Sequence, residues 1–207
     1  MNKIIVTIGR QFGSGGHNVG KFLAQSLQIP YYDRNLIEMA SEKSGIEVGL
    51  LSYYDERTSA SSLMKAKSGE AAARGIPVGE TLFQVQSQLI LEIARAGSCV
   101  IVGRCADYIL RDFPELFSIF ITAPVPDRLA RVMDRNHMPE EDAAAALKKV
   151  DHQRAVYYNF YTGKQWGDPK SYHLTVDSSI LGIEGTARLL EDKIRSHSSD
   201  HFPNTAK

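Results

Sequence analysis

Near the start of the chain, "IIVTIGRQFGSGGHNVGK" (Ile4 to Lys21) gathers Arg10, Gly13, Ser14, Gly15, Gly16 and His17 into one turn. The turn lies between a β-branched run and a helically spaced one. Glycines tolerate positive φ, so such a loop can curl its N–H groups inward at a helix N-terminus, where an anion is held. This is chemistry for phosphate. The usual pattern is GxxxxGK[ST]. One register makes Gly15 the second glycine, with Arg10 at the first glycine position, Gly16 at the lysine and His17 at the hydroxyl. The other, "GGHNVGK" (Gly15 to Lys21), ends in Phe22 and breaks into the helix to which Val19 belongs. The first is favoured. It leaves out both the phosphate lysine and the magnesium-binding hydroxyl, and Arg10 or another arginine must supply the lost charge. A plain glycine-rich turn stays open as the bland alternative. A dinucleotide fingerprint, G-x-G-x-x-G, fails because Asn18 stands where its last glycine belongs.

Further candidates follow other apolar runs. Asp33 and Arg34 come after the second, Arg104 and Asp107 after the third, and Asp177 after the last. Arg104 directly follows a buried run, where an unpaired cation is costly, so a binding role or an ion pair is expected. Arg128, Arg131 and Arg135 recur near helical spacing; a solvated face paired with Asp127 and Asp134 is the plainer alternative. Asp177 could simply cap the next turn. His137, His152 and His173 share no metal-ligand spacing with the cysteines, so no zinc site is expected.

The elements that must position these residues alternate in kind. Ile4–Ile8, Tyr31–Asp33, Ser98–Gly103, Leu116–Thr122 and Tyr172–Asp177 read as strands. Between them lie helical patterns: Val19, Phe22, Leu23 and Leu27; "RNLIEMASEKSGI"; Leu82, Val85, Leu89 and Ile93; Leu129, Val132 and Met133; a long helix from about Pro139 to Tyr161; and Ile183 to Ile194. Such alternation implies an α/β fold with a five-stranded parallel sheet covered on both faces. Ligands bind there beyond the carboxyl ends of the strands, which is where the candidates fall. "RTSASSLMKAKSGEAAARGIPV" (57–78) has a weak apolar pattern and is expected to be mobile. The tail, 196–207, is expected to fray. "YYNFYTGKQWGDP" is aromatic-dense and reads as packing or a homodimer contact rather than a base platform.

The chain has 207 residues, 43% of them hydrophobic, which suits one domain with a sizeable core. Lys and Arg number 24, as do Asp and Glu, so net charge gives no argument for nucleic acid or a membrane surface. Cys99 and Cys105 are expected as reduced core thiols. No signal peptide and no membrane-length apolar run is evident, so the expectation is a cytoplasmic protein.

On "RQFGSGG", "IPYYDRNLI", "IVGRCADYIL", "DRLARVMDR" and "YYNFYTGKQWGDPKSYHLTVDSSILGIE", the chain resembles the cytidylate kinase-like family of P-loop nucleoside monophosphate kinases, in a branch without the Walker lysine. The resemblance implies a three-layer P-loop kinase fold over 1–207, with a helical monophosphate-binding insert at 47–78 and a lid at 136–170. It implies ATP and Mg2+ as cofactors, nucleotides as partners, and phosphoryl transfer to CMP or dCMP. The alternatives are a nucleotide-binding regulatory protein or turnover-free kinase, and a kinase of another small acceptor. By this resemblance Gly13, Ser14, Gly15, Gly16 and His17 would cradle the donor phosphates. Asp33, Arg34, Arg104 and Asp177 would bind the acceptor. Arg10, Arg131 and Arg154 would be catalytic, and Arg128 and Arg135 would border the adenine and the lid.

Overall fold

The computed structural model describes residues 3–49, 52 and 78–201. A short β-branched run becomes β1, Ile5–Arg10, whose first four residues are buried. Its side chains alternate between two cores because successive strand residues face opposite ways. Val6 and Ile8 pack against Val19, Leu23 and Leu27 of α1 (Gly16–Leu27) and against Leu190 and Ile194 of α7 (Gly182–His201). Ile5 instead meets Leu36 of α2 (Asn35–Ser44) and Ile90 and Ala94 of α3 (Val78–Ala96). Each fully buried Ile or Leu contributes on the order of 1.5–3 kcal/mol. These two clusters, one on each face, hold the three layers together.

The sheet has five parallel strands in the order β2–β3–β1–β4–β5. Here β2 is Tyr31–Tyr32, β3 Cys99–Val102, β4 Leu116–Thr122 and β5 Leu174–Asp177. The short helix α4 (Ala106–Ile109) follows β3. After β4 come α5 (Val125–Asn136) and the long α6 (Glu140–Thr162), and a 3-10 turn at Pro169–Ser171 leads into β5. The chain leaves β1 towards β2 and β3 on one side, then crosses to β4 and β5 on the other. That reversal opens a crevice at the carboxyl ends of the strands beside β1.

Most expected elements form where the pattern put them, with three differences. The most buried stripe of α3 is Leu82, Gln86, Leu89, Ile90 and Ala94; Val85 and Ile93 are only half-buried, because α3 lies between two side clusters and not over one. Phe22, on the expected apolar face of α1, is exposed. α7 runs past Ile194 to His201, into the tail expected to fray. Most of the expected insert at 47–78 lies outside the described residues. Cys99 and Cys105 are both buried and not disulfide-bonded, and burial pushes the Cys99 thiol up to about 12. No described helix is long and apolar enough to cross a membrane.

Candidate active site

The glycine loop leaves β1 and enters α1 through two left-handed residues, Gly13 and Gly15, each at φ 79°. A Cβ at Gly13 would lie 2.8 Å from the Arg128 carbonyl oxygen, so the position demands glycine on both conformational and steric grounds. Gly15 is the N-cap of α1, and no side chain caps it. The first N–H groups of α1 are therefore oriented to meet an anion.

Gly16 packs tightly against β1 and β4. A Cβ there would stand 2.6 Å from Arg10 Cβ and 3.3 Å from Ile121 Cβ. The side chain of Arg10 fills the space that any side chain at 16 would need. Arg10 then lines a cavity of about 20 Å3 with Gly9, Gly103, Arg104, Cys105, Asp107 and Arg154, walled by Tyr157, Tyr158, Trp166 and Tyr172. Three arginines from β1, the β3–α4 turn and α6 thus converge at the carboxyl edge of the sheet, beside the loop. Arg104 reaches it through a strained turn: it and Cys105 both have positive φ, 54° and 56°.

Asp33 sits under this edge, 6% exposed. One carboxylate oxygen accepts from Arg104 Nη1 at 3.4 Å. The other lies 2.6 Å from His17 Nδ1 and 3.3 Å from the Tyr31 hydroxyl. Burial first, then the neighbouring Asp33 charge, pushes the Tyr31 phenol well above its ordinary value, so it stays a hydroxyl donor. Asp107 is also poorly hydrated. Its carboxyl is raised above the usual range by burial, although it accepts the Tyr158 hydroxyl at 2.7 Å.

Behind the loop, two clamps hold its backbone. Asp151 of α6 accepts from the Phe12 N–H at 2.7 Å and from Arg128 Nη1 at 2.6 Å. Arg131 Nη1 donates to the Ser14 carbonyl at 3.1 Å and to Ser178 Oγ at 3.0 Å, and Ser178 Oγ donates to the same carbonyl at 2.5 Å. Arg154 Nη1 donates to the Arg10 carbonyl at 3.0 Å.

The structure therefore brings Arg10, Arg104 and Arg154 into one cavity, and His17 and Asp33 into contact beside it. Arg128 and Arg131 turn to the back of the loop. Arg135 lies exposed with its guanidinium 5.3 Å from the Phe12 ring centre. Arg34 is exposed at the start of α2, outside the cavity lining. Asp177 caps its own turn, accepting from the Ser179 N–H at 2.8 Å. Ser14 is fully buried, its hydroxyl donating to the Gln11 carbonyl at 2.9 Å. With His17 standing at the usual hydroxyl position, no loop hydroxyl among the described residues is placed to hold magnesium. Among the described residues no donor set fits a protein-bound Mg2+.

Sequence reasoning missed Asp151, Tyr31 and Tyr158. Asp151 had a faint signal, since it precedes Arg154 by one helical turn and so shares its face. Gln11 was also missed. Its N–H donates to the Ile121 carbonyl at 3.0 Å, and its side-chain oxygen accepts from Thr122 Oγ1 at 2.5 Å, which ties the loop's entry to β4.

Several known proteins are similar to this chain in sequence or in fold. A cytidylate kinase from Aeropyrum pernix is 30% identical over 105 residues, 51% of this chain and 60% of that protein. One from Pyrobaculum islandicum is 23% identical over 193 residues, 92% of each chain. A crystal structure of an uncharacterized protein from Eubacterium ventriosum matches 94% of this chain and 99% of its own, with 31% identity and a TM-score of 0.71. A shikimate kinase from Bacteroides thetaiotaomicron, 15% identical with a TM-score of 0.55, covers 93% of this chain and 98% of its own and shares the fold. The model of the cytidylate kinase-like family matches residues 5–180, and with the sheet order and glycine loop described above it establishes that the chain belongs to that family.

Proposed function

We propose that the chain transfers the γ-phosphoryl group of magnesium-bound ATP to a nucleoside monophosphate, with CMP or dCMP as the first acceptors to consider, in the cytoplasm. The observation that carries this reading is the convergence of Arg10, Arg104 and Arg154 on one cavity beside the glycine loop. Phosphoryl transfer needs in-line positioning and cations on the group in flight. The N–H groups at the start of α1 hold the donor phosphates. Arg10, in place of the lysine, and Arg154 offset charge on the transferred group. Arg104 holds the acceptor phosphate, anchored by Asp33. Arg128 and Arg131 fix the loop from behind, and Arg135 borders the adenine. The cavity has room for about one water. A phosphate is larger, so α6 must draw back to admit it and close again to exclude water.

The test is ADP release from ATP and magnesium against CMP, dCMP, UMP, AMP and GMP, with Arg104→Ala alongside. Turnover on CMP that falls about 100-fold or more in the variant is expected, as when one preorganised charge contact is lost. Turnover no higher than a buffer blank with all five would sink the reading. The absent lysine favours a second reading, a nucleotide-binding regulatory protein without turnover. ATP binding with no turnover on any acceptor would support it. Turnover only on a non-nucleotide would point to a kinase of another small acceptor.

A further inference from the structure

A surface helix needs one apolar face, turned to the core; α5 carries two. Arg128 and Val132 turn inward and are buried. Pro126, Leu129, Ala130 and Met133 recur at i, i+3, i+4 and i+7, so they form a second stripe on the far side of the helix. Pro126 and Ala130 are exposed, Leu129 and Met133 are half-buried, and Val125 before them is 53% exposed. With Asp134 and Glu140 this stripe lines a groove of about 590 Å3 between α5 and the start of α6.

The charge on the rim selects what can cover it. Asp134 and Glu140 are the ionisable residues of the lining, and both are exposed. Glu141 and Asp142 extend the negative charge along the first turn of α6, where the helix dipole favours it. Asp134 has no such reason to be acidic: it stands in the last turn of α5, the end at which a carboxylate is unfavourable. The guanidinium of its neighbour Arg135 turns to the Phe12 ring, 5.3 Å from its centre. Carboxylates repel nucleic acid and anionic lipid. A second copy docking through the same patch would set carboxylates against carboxylates, because such an interface is self-complementary. We infer that the groove docks a basic amphipathic helix of another protein, with aliphatic side chains on the α5 stripe and Lys or Arg beside Asp134 and Glu140. A helix laid in an apolar groove presents anchors at i, i+3, i+4 and i+7, and opposite charges at the rim fix its register and speed encounter. The inference stands apart from the phosphoryl-transfer reading, and its test needs no turnover.

The experiment uses the full chain and a fluorescein-labelled model helix of leucine and lysine, with leucines at i, i+3, i+4 and i+7. A peptide with glutamate in place of every lysine is the control. Fluorescence anisotropy is followed against protein concentration for wild type, Ala130→Arg and the double variant Asp134→Lys with Glu140→Lys. All the substituted positions are exposed, so both variants should fold, which circular dichroism checks. The lysine peptide should bind wild type saturably. Each variant should bind it about tenfold more weakly, since attraction is exchanged for repulsion at the rim or within the groove. The glutamate peptide should prefer the double variant to wild type. No saturable binding of the lysine peptide to wild type, or equal binding to all the proteins, overturns the inference. Sedimentation velocity at rising protein concentration tests the other occupant. Self-association of wild type that is lost in Ala130→Arg would assign the groove to a second copy, and would overturn the basic partner.

Discussion

At the scale of single residues, the glycine at position 16 is the feature that most needs a cause. Gly16 and Arg10 compete for one volume, because a Cβ at 16 would meet Arg10 Cβ at 2.6 Å. Both atoms are close to backbone, so neither can swing away. Gly16→Ala is expected to destabilise the fold by about 1–3 kcal/mol through overpacking, despite a helix-propensity gain of about 1 kcal/mol. Arg10→Gly should relieve most of that loss in the double variant. Urea unfolding of both single variants and the pair would measure the coupling. Additive effects would show that Arg10 does not occupy the lysine's place.

At the scale of elements, α6 is the part that registers the glycine loop against the arginine-lined cavity. Asp151, Arg154 and Tyr158 lie along one face of it. They reach the Phe12 N–H, the Arg10 carbonyl and the Asp107 carboxyl respectively. Asp151 is the most demanding of the three, because the Arg128 side chain it pairs with is 9% exposed. Asp151→Ala strands that charge. The expected cost is about 2 kcal/mol, below the 3–5 kcal/mol of a fully buried pair, since Asp151 retains some contact with water. KM for ATP should rise with it as the loop loosens. Asp151→Asn keeps an acceptor for the Phe12 N–H and should lose less on both counts. Chemical denaturation together with ATP titration would separate the two variants, and equal effects would count against a role in setting the loop.

At the scale of the whole molecule, the fold carries a pH dependence through Asp107. Burial raises its carboxyl above the unfolded value. A raised carboxyl favours the folded state while it is protonated, and that contribution is lost as pH rises from the ordinary carboxylate range through the raised value. Asp107→Asn removes the titration and keeps an oxygen for the Tyr158 hydroxyl. The melting temperature of Asp107→Asn relative to wild type should therefore become more favourable to the variant between pH 3.5 and pH 8. A difference that stays flat over that range would contradict the assignment. The switch of strand order beside β1 puts this carboxyl, three arginines and the glycine loop at one edge.

The elements were legible in the sequence because they depend on neighbours. Ile5 to Ile8 is β-branched and apolar, Val19, Leu23 and Leu27 recur at helical spacing, and Gly13 to Gly16 can bend only as glycines bend. The same local logic placed Asp33, Arg104 and Asp177 beyond strand ends, and so at one edge of a parallel sheet. What those residues touch was not legible. Asp151 meets the Phe12 N–H across 139 positions of sequence, and His17 meets Asp33 across 16. Both contacts follow from the strand order, which no local period encodes. Arg10 filling the place beside Gly16 is also a tertiary fact, since strand and helix must cross there before the two residues can exclude one another. The sequence by itself determined which groups stand at the edge of the sheet. The tertiary structure decided their partners, because burial against particular neighbours fixes where each side chain turns.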